Sequence, residues 1–151
     1  MSTLDKAILI AAQAHAGQKD RSGKPYILHP IRLMMNVDSD EEKVVAILHD
    51  VVEDSDWTLD GLREEGFSDE IITAVDCITK RDNEPYMNYI ERLISNNIAR
   101  RVKLADLEDN MDLRRIDQIA NHDVERFKRN HLAWKKLMAH ELKFQIANKI
   151  Q

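Results

Sequence analysis

Val44-Val45-Ala46-Ile47-Leu48-His49-Asp50-Val51-Val52-Glu53-Asp54 is the stretch on which the fold turns. An apolar run leads into His49-Asp50, two valines follow, and Glu53-Asp54 close it. With Asp38-Ser39-Asp40 in front as a cap, the pattern predicts one helix through the whole stretch. His49 and Glu53 are four residues apart, as are Asp50 and Asp54, so each pair projects to one side of that helix. Solvent accounts for Glu53 and Asp54. It accounts poorly for His49 and Asp50, which have apolar neighbours on both sides. A buried carboxylate needs a partner, because leaving it unpaired costs on the order of several kcal/mol. Three readings stay open: a metal or catalytic site, a structural His–Asp pair, or exposure.

Outward from this stretch the same helical grammar continues. Only 4 glycines and 3 prolines punctuate 151 residues, which favours an all-α protein. Ser2-Thr3 can cap a first helix with Leu4, Ile8, Ala11 and His15 on its apolar face. Residues 17–26 form a polar, basic loop. Pro30 is placed to begin a second helix reaching about Val37, with His29 held outside it as the residue before proline. Further helices are predicted from Trp57 to Glu65 behind Thr58, after the Ser68 cap (Ile71, Val75, Ile78), after Pro85, and from Asn97 to Asn110. A linker covers about 112–122. A long last helix runs from about 123 to 150 with a stripe of Phe127, His131, Trp134, Met138 and Leu142 that must pack on something. The whole, 1–151, reads as a single domain.

Composition narrows the function. Lys and Arg number 22 against 27 Asp and Glu, a net charge of −5, which disfavours nucleic acid and anionic membrane surfaces as partners. A single cysteine, Cys77, excludes a disulfide framework or a multi-cysteine zinc site. No apolar run approaches a membrane span. The first residues carry Asp5 and Lys6 inside their apolar stretch, so they read as a helix and not as a signal peptide, and a cytoplasmic location is expected.

Two more places carry chemistry. In Val102-Lys103-Leu104-Ala105-Asp106-Leu107-Glu108-Asp109-Asn110, Ile98, Val102 and Asp106 share one helical line, so Asp106 interrupts an apolar stripe. Asn110 continues the line and Lys103 lies beside it. An internal salt bridge or a carboxylate ligand would both explain this. In Pro25-Tyr26-Ile27-Leu28-His29-Pro30, His29 is either a ligand or a cap. Taken together, two imidazoles and two carboxylates suit a divalent ion such as Mn²⁺, Fe²⁺, Co²⁺ or Zn²⁺.

The order His29, His49-Asp50, Asp106 resembles the HD superfamily of metal-dependent phosphohydrolases. More narrowly, QKDRSGKPYILHP (18–30), ILHDVVEDSDWTLD (47–60) and VKLADLEDNM (102–111) resemble the hydrolase domain of the RelA/SpoT homologues, over about Ala7 to Leu113. With no synthetase segment following in the sequence, the resemblance is to the stand-alone small alarmone hydrolases. It implies an HD helical bundle around a central metal, Mn²⁺, and hydrolysis of the 3′-pyrophosphate of ppGpp and pppGpp. The metal ligands it implies are His29, His49, Asp50 and Asp106. Glu53 and Asp54 would orient and activate the attacking water. Arg21, Ser22, Lys24, Tyr26, Lys103 and Asn110 would meet the nucleotide. The alternatives are another nucleotide, such as an adenine alarmone or a nicotinamide dinucleotide phosphate, or a regulator that binds without turnover.

Two positions depart from the family pattern. Asp20 stands where a basic residue would pack on guanine, and Asp112 stands where another basic residue is usual. Asp20 is expected to accept a hydrogen bond from a base amino group or to face solvent, and the first case predicts relaxed base preference. Lys80 and Arg81 are expected as surface charge or pocket wall. His15, His122, His131, His140 and Cys77 are expected in structural or surface roles, and the last helix as core or the seam of a homodimer.

Overall fold

A computed structural model describes residues 3–149. The elements are α1 (Thr3–Ala14), α2 (Leu28–Met34), α3 (Asp40–Leu48), α4 (Val51–Asp54), α5 (Leu59–Glu64), α6 (Asp69–Ile78), α7 (Tyr86–Leu93), α8 (Asn97–Asn110) and α9 (Asn121–Lys149), with a 3-10 turn at Leu113–Arg115 before α9. The described residues contain no β-strand, only a bridge between Lys19 and Pro25. The domain is all-α.

α3 is the axis of the bundle. It packs against α1, α2, α6 and α8, and Val45, Ala46, Ile47 and Leu48 on it are fully buried. Leu33, Ile72, Ile90, Leu93 and Leu107 close the core around it. A helix buried on so many sides is apolar nearly all round, which is why the run from Val44 to Leu48 has no polar interruption. Ser39 caps it in a reciprocal box: its hydroxyl accepts from the Glu42 amide at 3.1 Å, and Glu42 accepts from the Ser39 amide at 3.2 Å.

Three sequence expectations are corrected. First, the helix predicted through Asp54 stops at Leu48, and α4 restarts at Val51. His49 Nδ1 donates to the Ala46 carbonyl at 2.8 Å, the acceptor that the Asp50 amide of a continuing helix would use. Asp50 sits at φ −105°, ψ −2°, in the two-residue turn that separates the helices. Second, α2 begins at Leu28, so His29 lies inside its first turn and Pro30 is its third residue. Amides of the first turn have no intrahelical acceptor, and proline there sacrifices no bond. The helix also ends early, at Met34. Third, Thr3 is the first helical residue of α1 rather than its cap, and Ser2 lies outside the described residues.

The last helix packs on a different line from the one expected. Asn130, Ala133, Leu137 and Glu141 face inward, whereas Phe127, Trp134 and Met138 are half-buried and His131 and Leu142 are exposed. The reason is a buried ion network that the apolar pattern does not register. Arg100, fully buried on α8, donates from Nε to Glu141 at 2.9 Å and from Nη1 to the Ile94 carbonyl at 2.9 Å. Arg101 bridges Glu141 (3.1 Å) and the buried Glu42 of α3 (2.9 Å). Three helices are thereby tied by four charges.

Burial pushes the Glu141 carboxyl up, but the hydrogen bonds from Arg100 and Arg101 outweigh it and hold the group below its ordinary value of 4.5. A carboxyl depressed in the folded state contributes stability above its ordinary value, and that stability disappears as pH falls through the folded value. Glu141→Ala is expected to destabilise by about 3–5 kcal/mol, since it strands a buried guanidinium. The parent is expected to lose Tm between pH 5 and roughly pH 3, and Glu141→Gln to flatten that loss. Thermal melts of parent and variant across that range check both; parallel curves would remove the pair from the acid response.

Candidate metal centre and its cleft

Three separated segments converge on one point. The first turn of α2 brings His29, the α3–α4 junction brings His49 and Asp50, and α8 brings Asp106. Ligand atoms of His29, His49 and Asp50 lie within 4.8 Å of one another. Asp106 Oδ1 is 3.1 Å from His29 Nε2 and 3.9 Å from His49 Nε2. The imidazole rings meet edge to face at 5.2 Å. His29, His49 and Asp106 are buried, and Asp50 is partly open to the cleft.

Both rings are oriented from behind. His49 Nδ1 is committed to the Ala46 carbonyl. His29 Nδ1 is 2.6 Å from Asp109 Oδ2. With each Nδ1 engaged, each Nε2 points inward, and His49 Nε2 is buried without a hydrogen-bond partner although Asp50 Oδ2 is 2.9 Å away. An orphaned imidazole nitrogen beside two carboxylates, with its other nitrogen anchored by a carbonyl or carboxylate, is the arrangement of a metal-binding histidine. The donor set therefore fits a divalent cation.

The electrostatics agree. Burial opposes ionisation of Asp50, but His49 outweighs it and draws the carboxyl down to about 2. Asp106 is held far below its ordinary range despite complete burial, chiefly by Lys103 and His29. Burial disfavours the His29 imidazolium, yet the hydrogen bonds to Asp106 and Asp109 lift it to about 9. The point where the four side chains meet favours positive charge.

Around it opens a cleft of about 310 Å³. Tyr26 donates its hydroxyl to Asp50 Oδ2. Lys103 Nζ and Asn110 Nδ2 each donate to Asp106 at 2.7 Å. Lys103 also lies over the Tyr89 ring at 5.2 Å, with Tyr86 beside it. Arg21 and Ser22 line the same cleft from loop 17–26, Arg21 paired with Asp123 and Ser22 bonded to the Arg115 carbonyl. Lys24 does not line it. That side chain is exposed, and only its backbone takes part, in the turn around Asp20.

Glu53 and Asp54 stand on α4 with exposed side chains, outside the cleft lining. Glu53 accepts from the Lys80 amide at 3.2 Å, and neither Lys80 nor Arg81 lines the cleft. Partial desolvation by its neighbours raises the Glu53 carboxyl, the Lys80 amide offsets part of that, and repulsion from Asp50 and Asp54 adds to it. Asp54 is raised by burial and by Asp50.

Asp20 takes neither of its expected roles. Its side chain is 8 % exposed and fully engaged: Oδ1 accepts from the Ser22 and Lys24 amides at 2.9 Å each, and Oδ2 accepts from Arg115 at 3.0 Å. Both oxygens are committed to shaping the loop, whose tip is Gly23 at φ +76°. The basis for a relaxed base preference falls with this. Asp112 pairs with Arg114 at 2.7 Å and caps the 3-10 turn.

Residues that the sequence reading passed over complete the site. Asp109 receives His29, two bonds from Arg32 (2.7 and 3.0 Å) and Arg115 (2.5 Å). Arg126 donates to Asn110 at 3.2 Å. One signal was present: Arg32 follows His29 by three residues and Asp109 follows Asp106 by three, so each shares a helical face with a metal-ligand candidate. His15 is buried against Tyr26 with Nδ1 on Gln18.

No protein-family model matches the chain. It is 43 % identical over 86 residues to a probable GTP pyrophosphokinase of Mycobacterium leprae, 54 % of this chain and 11 % of that one. It is 30 % identical over 118 residues to a guanosine-3′,5′-bis(diphosphate) 3′-pyrophosphohydrolase of Aquifex aeolicus, 72 % of this chain and 17 % of that one. A protein of the same description from Vibrio cholerae is 33 % identical over 113 residues, 72 % of this chain and 16 % of that one. The chain thus spans from about a tenth to a sixth of the length of these relatives. Among solved structures, a metazoan ortholog of SpoT described as hydrolysing ppGpp superimposes with a TM-score of 0.71 over 93 % of this chain and 85 % of the other, at 24 % identity. With the fold shared and the sequence likeness to guanosine-3′,5′-bis(diphosphate) 3′-pyrophosphohydrolases, this chain belongs to the RelA/SpoT family as an HD-type hydrolase domain.

Proposed function

We propose that the chain hydrolyses the 3′-pyrophosphate of ppGpp and pppGpp, releasing pyrophosphate, with Mn²⁺ held by His29, His49, Asp50 and Asp106. The observation that carries this reading is the pair of back-anchored imidazoles whose Nε2 atoms face two low-pKa carboxylates at the base of a cleft that also holds Arg21, Arg115 and Arg126. Bound there, a divalent cation lowers the pKa of a coordinated water and neutralises phosphate charge.

The side chains divide the remaining work. Asp109 and the Ala46 carbonyl keep the two rings in register. Lys103 and Asn110 hold the Asp106 carboxylate in one orientation, and Tyr26 does so for Asp50. Glu53, with its carboxyl raised by burial and by its acidic neighbours, accepts the proton of the attacking water, and Asp54 helps orient that water. A base of this kind argues for turnover over a purely regulatory role. The cytoplasm is the compartment that this reading assigns.

Asp106→Ala and His49→Ala are expected to lose both bound metal and ppGpp hydrolysis, checked by elemental analysis of the purified protein beside a turnover assay. Stoichiometric metal with normal turnover in Asp106→Ala would refute the ligand set. Glu53→Gln is expected to keep its metal while kcat drops by about 10²–10⁴. Because the base works deprotonated, the acidic limb of the parent kcat profile should lie above 4.5, the ordinary value of the group, and should vanish in the Gln variant. Asp109→Asn is expected to weaken Mn²⁺ binding by about 10–100-fold, read from competition with a chelating dye. Unchanged affinity would leave Asp109 with no bearing on His29.

A further inference from the structure

We propose that Arg115 is the residue that anchors a phosphate group of the substrate, held ready for it by Asp20 and Asp109. The proposal rests on the phosphohydrolase reading above and adds which side chain receives the anion.

The local chain aims this side chain. Asp112 Oδ1 accepts from the Arg114 amide at 3.1 Å, and the Arg115 amide bonds back to the Asp112 carbonyl at 3.2 Å. The tight turn throws Arg114 outward, 89 % exposed, and Arg115 inward, 25 % exposed, into the cleft that also holds Tyr26, His29, Asp50 and Asp106. Arg115 Nη1 meets Asp109 Oδ2 at 2.5 Å and the Asp109 carbonyl at 3.1 Å, and Nη2 meets Asp20 Oδ2 at 3.0 Å. Among the described residues, its Nε and one Nη2 hydrogen have no acceptor, out of five donors in a fixed fork.

Asp109 does not depend on Arg115. Arg32 already binds both of its oxygens, and His29 binds one. Asp20 likewise keeps two backbone amides on its other oxygen. Arg115 can therefore turn its free edge, or exchange one carboxylate, toward a phosphate without stranding either partner. A guanidinium facing a phosphate forms two parallel charge-assisted bonds, a geometry that an ammonium does not reproduce. Lys103 is less free, because its ammonium is buried and committed to Asp106. The Ser22 hydroxyl on the Arg115 carbonyl ties loop 17–26 to the same turn, so an anion seated on Arg115 also seats that loop.

The test uses Mn²⁺-loaded full-length protein carrying Glu53→Gln, with Arg115→Ala and Arg115→Lys added separately. Binding of ppGpp and of inorganic pyrophosphate is measured by calorimetry, and metal content is read in parallel. Arg115→Ala is expected to raise the Kd for ppGpp at least tenfold with metal content unchanged. Arg115→Lys is expected to recover less than half of the lost binding free energy. A Kd within twofold of the parent in either variant overturns the proposal, and so does a loss of metal that by itself accounts for the weaker binding. If the parent binds pyrophosphate through Arg115 but not ppGpp, the alarmone reading fails and the anchor stands. If ppGpp binds equally to parent and variants, the reverse holds.

Discussion

Asp106 is a carboxylate in the middle of a buried helix, and the site is organised by the need to compensate it. It faces His29 and His49, receives Lys103 from the preceding turn of α8 and Asn110 from the following one, and stays ionised despite full burial. An isolated charge in that position would unfold the helix from its neighbours. Surrounded as it is, it fixes the relative positions of α2, α3 and α8. The candidate metal centre and the packing of the core therefore share this side chain.

A second ring of charge stands behind the first. Asp109, Arg32, Arg115 and Asp20 form a continuous chain of ion pairs from the back of His29 to loop 17–26. Two carboxylates and one guanidinium thus connect loop 17–26 to the back of the His29 imidazole. Farther out, Glu42, Arg101, Glu141 and Arg100 play the structural counterpart between α3, α8 and α9. The acidic surplus of the composition thus resolves into local networks where nearly every buried acid has its own cation.

The break at His49-Asp50 shows how a local competition decides site geometry. The His49 side chain takes the Ala46 carbonyl at the point where α3 ends. The same bond orients the ring so that its other nitrogen faces Asp50 and Asp106. α4 starts again at Val51, and Glu53 on it lies outside the residues that line the cleft. One hydrogen bond, His49 to Ala46, thus goes with both the ring orientation and the break between α3 and α4.

The sequence by itself determined the helical class, the order of the helices and the four metal-ligand candidates. Those depend on short-range facts: apolar period, caps such as Ser39, and ionisable residues lodged in apolar runs where water does not reach. Loop 17–26 was legible as basic and polar, and Arg21 and Ser22 do line the cleft. Only the tertiary structure decided what Asp20, Asp109, Arg32 and Arg115 do, because partners separated by 77, 80 or 95 residues leave no periodic trace. The inward face of α9 was misread for a related reason. Its decisive residue is Glu141, a polar side chain that belongs inside only because Arg100 and Arg101, about forty positions earlier, are there to meet it.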